Sequence, residues 1–149
     1  MPIVTLVDVA ADASDFQAKM VSAVATAAKS NDKAKVYLMI TTAHEAGKPW
    51  CGDCVAAENM LSALFQPSGA LEGDTMVLCP LARATYRQPG GHPFKRDPLI
   101  KLTAVPTLYK WDVAQSQVSE ERLVEGETYE DHGKVKAFLG LPESFSFPQ

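Results

Sequence analysis

Long hydrophobic stretches are missing from this sequence: no run approaches the roughly 20 apolar residues that a membrane-spanning helix needs. No membrane partner is expected. Positive charge is not in surplus either. Lys and Arg total 14 against 18 Asp and Glu, a net charge of -4, too small and of the wrong sign for a nucleic-acid binder. Cysteine is scarce: three is an odd count and gives no secreted disulfide framework. Met1-Pro2-Ile3 opens no signal peptide. These absences point to a reducing, cytoplasmic setting, where close cysteines serve catalysis or metal binding rather than structure. The rest of the composition, 149 residues with 46% hydrophobic and 21% charged, is that of an ordinary globular protein. It suits one domain over residues 1–149.

The pattern of the chain alternates. Ile3 to Val9 reads as a first strand, and Asp12 or Ser14 as the N-cap of a helix with Phe16, Met20, Val21, Val24, Ala27 and Ala28 on its inner face. Val36 to Thr41 is a short β-rich run of a buried strand, followed by a loop from Thr42 to Pro49. Val55 to Phe65 reads as a helix stopped by Pro67-Ser68-Gly69, burying Val55, Met60, Leu61, Leu64 and Phe65, and Thr75 to Leu81 as the next strand. Ala82 to Pro93 is irregular, broken by Pro89-Gly90-Gly91. Asp97-Pro98 predicts the start of a short helix. Thr107 to Trp111 and Arg122 to Val124 form a hairpin. A last helix turns Val135, Phe138 and Leu139 inward and ends at Gly140, leaving a tail from Glu143 to Gln149 without a fold signal. The order is α/β: a parallel sheet with crossover helices and an antiparallel edge.

Between the second strand and the second helix stands Trp50-Cys51-Gly52-Asp53-Cys54. A helix N-terminus presents free N–H groups and the positive end of the dipole, so it favours a thiolate there. A Cys-x-x-Cys beside a βαβ pattern reads as a redox dithiol. The other reading is half of a zinc site. It needs two more ligands from Cys79, His44, His92 and His132, none of which forms a second close pair. Redox chemistry is the preferred reading, with no metal. Cys79, in an apolar strand, reads as a core residue. Trp50 reads as substrate-facing beside the nucleophile. Arg83, Arg87, Lys95, Arg96 and Lys101 make a locally basic stretch, read as a solvated face in preference to an anion site.

The motif together with Thr103-Ala104-Val105-Pro106-Thr107-Leu108 resembles the thioredoxin superfamily. Within it, the chain looks like the small thioredoxin-related group that carries Trp-Cys-Pro-Asp-Cys, the Clot or thioredoxin-domain-containing type. The likeness extends to Thr42–Pro49, Cys79 and the Tyr86-to-Lys101 stretch. It implies a thioredoxin fold, a mixed sheet of about five strands flanked by helices, with Pro106 in cis against the dithiol. It also implies thiol–disulfide exchange. Cys51 attacks a substrate disulfide and Cys54 resolves the mixed disulfide. The pKa of Cys51 is expected below the roughly 8.5 of a free thiol. Electrons are expected from NADPH through thioredoxin reductase, with no bound cofactor. The implied partners are that reductase, disulfide-bearing proteins and small disulfides such as cystine. A monomer serving cell redox homeostasis is expected.

Trp50, Gly52, Asp53, Val105 and Pro106 are the substrate-binding or tuning residues on this reading. Gly52 replaces the group's proline and bears on the redox potential, because glycine holds the dithiol less rigidly. Asp53 opposes thiolate formation at Cys51 and repels acidic partners. Thioredoxins carry a buried aspartate on the strand before the motif, but Val36 to Thr42 contains no acid. Asp53, His44 with Glu45, or water are then the proton acceptors open to Cys54. Two alternatives compete with the reductase: a redox-sensing binding module, and a glutathione-linked, glutaredoxin-like reductase.

Overall fold

A computed structural model describes residues 3–7, 9 and 12–147. Its centre is β2, Val36–Thr42, whose seven residues are all buried. Strands β1 (Ile3–Thr5), β5 (Thr75–Leu81), β6 (Thr107–Asp112) and β7 (Gln117–Val124) complete a five-stranded sheet in the order β1-β5-β2-β6-β7. β2 runs parallel to β5, from Val36 opposite Thr75 to Thr42 opposite Leu81. It runs antiparallel to β6, with Leu38 opposite Tyr109. The parallel pair needs a crossover, and the helix that supplies it carries the dithiol. The sheet is mixed, of five strands and flanked by helices: the thioredoxin fold.

Side chains of β2 alternate between two cores. Val36, Leu38 and Ile40 join Phe16, Met20 and Ala23 of α1 (Ala13–Ser30) on one face. Tyr37 and Met39 join Ala57, Leu61, Leu64 and Phe65 of α2 (Gly52–Phe65), with Val135, Phe138 and Leu139 of α4 (His132–Leu139), on the other. Gly140, in the left-handed region at φ 70°, closes α4, and Leu141 N–H returns to the Lys136 carbonyl. Among the described residues no helix is long and apolar enough to cross a membrane.

Several boundaries differ from the sequence reading. The first strand ends at Thr5, and part of the Ile3-to-Val9 span, Asp8, lies outside the described residues; so do Met1, Pro2, Pro148 and Gln149. Asp12 caps α1 by accepting from Asp15 N–H, while Ser14 lies inside the helix. The inner face of α1 is Phe16, Met20, Ala23 and Ala27; Val21 and Ala28 point outward, because the 3.6-residue period selects Ala23 over them. On α2 the fully buried positions include Cys54 and Ala57, while Val55 and Met60 are half-buried.

The Thr42-to-Pro49 loop contains a small hairpin, β3 (His44–Glu45) against β4 (Lys48–Pro49), turned by Ala46 and Gly47, both at positive φ. Alanine at such a position carries no turn signal, so the hairpin is silent in sequence. Ala82 to Pro93 holds one helical turn, α3 (Arg83–Tyr86). Asp97 caps a single turn, not a helix: its side chain accepts from Leu99 and Ile100 N–H, and Lys101 at φ 45° ends it. The second hairpin arm begins at Gln117 rather than Arg122. The tail does carry structure, since Phe147 is buried in the α2–α4 core.

Met20 is fully buried and Val21 is 48% exposed. Met20→Ala is expected to cost about 2–5 kcal/mol and Val21→Ala less than about 0.5 kcal/mol, read from urea unfolding midpoints.

Candidate active site

β2 ends on Thr41-Thr42, and the chain passes through the small hairpin back to Trp50. Cys51 is the N-cap of α2, with extended backbone (φ -110°, ψ 127°); its carbonyl accepts from Val55 N–H at 3.1 Å. Its side chain makes no capping hydrogen bond, so the first N–H groups of the helix stay available to an anion. Gly52 occupies the first helical position. A Cβ there would meet nothing within 4 Å, so space does not exclude a larger residue.

The two thiols stand in unlike surroundings. Cys51 is half-buried, packed against the core, whereas Cys54 is fully buried within it. Both are unpaired thiols. Burial pushes the Cys54 thiol up to about 12; Thr41 and Thr42 hydroxyls act in the opposite sense, and the neighbouring Cys51 adds to the rise. Those two hydroxyls are buried and find no hydrogen-bond partner of ordinary geometry. They line a cavity of about 310 Å³ together with Thr5, His44 and Glu58. Glu58 lies four residues beyond Cys54, on the same face of α2. One of its carboxylate oxygens accepts from His44 Nε2 at 3.1 Å, while the other is buried without a partner.

Trp50 is fastened beside this pair. Its indole N–H donates to the Leu81 carbonyl at 3.2 Å, and its ring packs on Tyr86 at 5.7 Å. Arg83 and Arg87 lie over the same ring, at 5.3 and 5.1 Å. Burial raises the Tyr86 hydroxyl pKa, and the charges of Cys51, Glu125 and Cys54 add to it, which places Tyr86 by the dithiol. Asp53 turns the other way and accepts from the Tyr129 hydroxyl at 2.5 Å. This bond is the main cause that holds the Tyr129 hydroxyl above its ordinary pKa. The Val105–Pro106 peptide bond is cis, both residues are buried, and Val105 belongs to the cluster that contains Cys54. Pro106 O accepts from Glu125 N–H at 2.8 Å.

The seven sequence-derived positions lie at one end of β2, with the Asp53 side chain turned to Tyr129. His44 pairs with Glu58, while Glu45 pairs with Arg83 at 3.3 Å, so the His44–Glu45 couple does not form. The reserve metal ligands are dispersed. Cys79 is opposite Ile40 in the sheet, His92 is buried and caps the turn at Phe94, and His132 packs on Phe147. Burial, with Lys95 and Arg96 nearby, lowers the His92 pKa. Among the described residues no three His, Cys, Asp or Glu side chains group as a metal site requires. Sequence reasoning passed over Glu58, whose i+4 spacing from Cys54 was legible, and Tyr129, for which no local signal exists.

Residues 10–131 match the family described as thioredoxin domain-containing protein 17-like, thioredoxin domain. The chain belongs to this family. Thioredoxin domain-containing protein 17 of Epinephelus coioides is 36% identical over 76 residues, 51% of this chain and 58% of that protein. The thioredoxin-like protein Clot of Oryza sativa subsp. japonica is 30% identical over 112 residues, 72% of this chain and 80% of that protein. The Homo sapiens thioredoxin domain-containing protein 17 is 32% identical over 89 residues, covering 59% and 69%. The match thus spans a little under three fifths of the fish relative's length. Membership in a thioredoxin-type family supports a redox role.

Burial also makes an alkaline prediction. Cys79 titrates near its ordinary 9.0 when unfolded, but burial holds it up to about 12 in the fold. Between those values only the unfolded chain gives up the proton. Stability is therefore full below about pH 9 and falls as pH rises, by about 1.4 kcal/mol per pH unit for this group. Urea midpoints of the reduced protein from about pH 8 to 11 should fall less steeply in Cys79→Ala.

Proposed function

We propose that the chain is a cytoplasmic thiol–disulfide reductase, acting as a monomer with Cys51 as nucleophile and Cys54 as resolving cysteine. One observation carries this reading: the two cysteines share one helical turn, with Cys51 at the uncapped N-terminus and Cys54 buried behind it. The Cys51 thiolate attacks one substrate sulfur. The substrate S–S bond breaks, one substrate thiolate leaves, and a mixed disulfide remains. Cys54 then gives up its proton and attacks the Cys51 sulfur. The second substrate thiol leaves, and the dithiol, now a disulfide, has lost two electrons. NADPH, through thioredoxin reductase, would restore it. Disulfide-bearing proteins and small disulfides such as cystine are the proposed substrates.

The buried thiol needs an acceptor for its proton, because burial above all raises its pKa to about 12. Glu58 is the carboxylate that the Thr41–Thr42 cavity offers, reached through those hydroxyls or a water between them. Asp53, held by Tyr129, and His44, held by Glu58, are engaged elsewhere.

With NADPH, thioredoxin reductase and cystine, the protein is expected to turn over; Cys51→Ser should abolish reduction, and Cys54→Ser should trap mixed disulfides visible on non-reducing gels. Retained activity in Cys51→Ser overturns the mechanism. Turnover only with glutathione and its reductase would assign the glutaredoxin-like reading. No turnover with either system would leave a redox-switched binding module.

Glu58→Gln should slow resolution by about tenfold or more near pH 7, with less effect as pH rises. The check is the lifetime of the mixed disulfide in quenched single-turnover reactions. An unchanged lifetime removes Glu58 from the proton route.

A further inference from the structure

The five basic residues after β5 are exposed, as a solvated face requires, but part of the stretch is ordered. Two of its guanidinium groups lie over the indole of Trp50, the residue next to Cys51, and Tyr86 packs on the same ring. Lys95 lies over Tyr86 at 4.9 Å. Trp50 is fixed by its hydrogen bond to Leu81 O, so the cations are held in place relative to the nucleophile. A guanidinium stacked on an aromatic face keeps its N–H edge free, and that edge matches a carboxylate in bidentate fashion. Arg83 is already engaged by Glu45. Arg87 is exposed, and among the described residues no carboxylate pairs with it.

We propose that Arg87, backed by Arg83 and held on Trp50, is a subsite for a carboxylate carried by a small disulfide substrate. The subsite rests on the reductase reading and adds a direction to it. It lies on the indole of Trp50, the chain neighbour of Cys51, so the proposal places the acid close to the disulfide. A carboxylate on the disulfide's own short chain meets that condition. In a polypeptide the α-carboxylate of a half-cystine is tied up as an amide, and the acid must come from a neighbouring side chain.

The test separates the subsite from the activity. Reduced protein is alkylated with iodoacetate, which is anionic, and with iodoacetamide, which is neutral, and modification of Cys51 is timed by mass spectrometry. The ratio of the two rates cancels the thiolate fraction. Arg87→Gln should lower that ratio about threefold at low salt, the size of one exposed charge contact, and added salt should shrink the difference. Arg87→Lys should restore most of the ratio.

In turnover, Arg87→Gln should raise KM for dithiodipropionate about three- to tenfold relative to KM for bis(hydroxyethyl) disulfide; Arg87→Lys, which lacks the planar fork, should not restore it. An unchanged alkylation ratio, or an equal change in both KM values, overturns the subsite. If only an oxidised peptide with glutamate beside its cysteine shows the shift, the small-substrate assignment falls. If no disulfide is turned over by the unaltered protein, the reductase reading falls, while the alkylation ratio still decides whether Arg87 attracts an anion to Cys51.

Discussion

The pairing of β2 on both edges is the constraint that the site depends on. A strand with β5 on one side and β6 on the other, and with every residue buried, has no freedom to shift register. A slip of one residue would exchange its two faces, sending Tyr37 and Met39 toward α1 and Leu38 and Ile40 toward α2. Register therefore fixes where Thr41 and Thr42 stand at the strand's end. Those two hydroxyls oppose the rise of the Cys54 thiol pKa and line the cavity that also contains Glu58. The chemistry of the buried cysteine is decided by the sheet as much as by the motif.

The motif acts through an asymmetry of environment. Cys51 and Cys54 are the same chemical group three residues apart, yet one caps a helix and the other is sealed beneath it. At the cap, unpaired N–H groups favour an anion. Beneath it, desolvation favours the neutral thiol. The pair can then act in sequence: the accessible sulfur meets a substrate first, and the buried one responds once the first is occupied. An exposed Cys54 would compete for substrate, while a buried Cys51 could not reach it. The single turn of helix between them enforces both conditions at once.

Elements with a strong period were legible in the sequence: β2, β5, α2 and β6 fall where alternation and apolar runs put them, while of β7 only Arg122 to Val124 was read. The face of α1 was read less well. Val21 and Ala28 are apolar, and only the exact helical phase, set by packing on the sheet, turns them outward in favour of Ala23. The β3–β4 hairpin depends on Ala46 at positive φ, a conformation that alanine does not advertise. Phe147 packs because a core face of α2 and α4 needs covering, which no local pattern in the tail records. At the site, the residues of the motif were legible and their partners were not. Tyr129 is 76 positions from Asp53, and the stacking of Arg83 and Arg87 on Trp50 requires α3 to be placed at the end of β5.

That bond to Tyr129 changes what Asp53 does. Read from the sequence, Asp53 is a bare carboxylate that opposes a thiolate beside it. In the fold, a phenol hydroxyl donates to it and its charge is directed away from the dithiol toward the turn at Glu125–Thr128. The same turn begins at Glu125, whose N–H holds the Pro106 carbonyl. Asp53 thus ties the start of α2 to the segment that presents Val105 and Pro106. The two sequence signals that pointed to disulfide exchange are joined through one turn that gave no signal of its own. A substitution at Tyr129 would consequently act on both halves of the site, while a substitution at Gly52, whose side touches nothing, would act on the helix start alone.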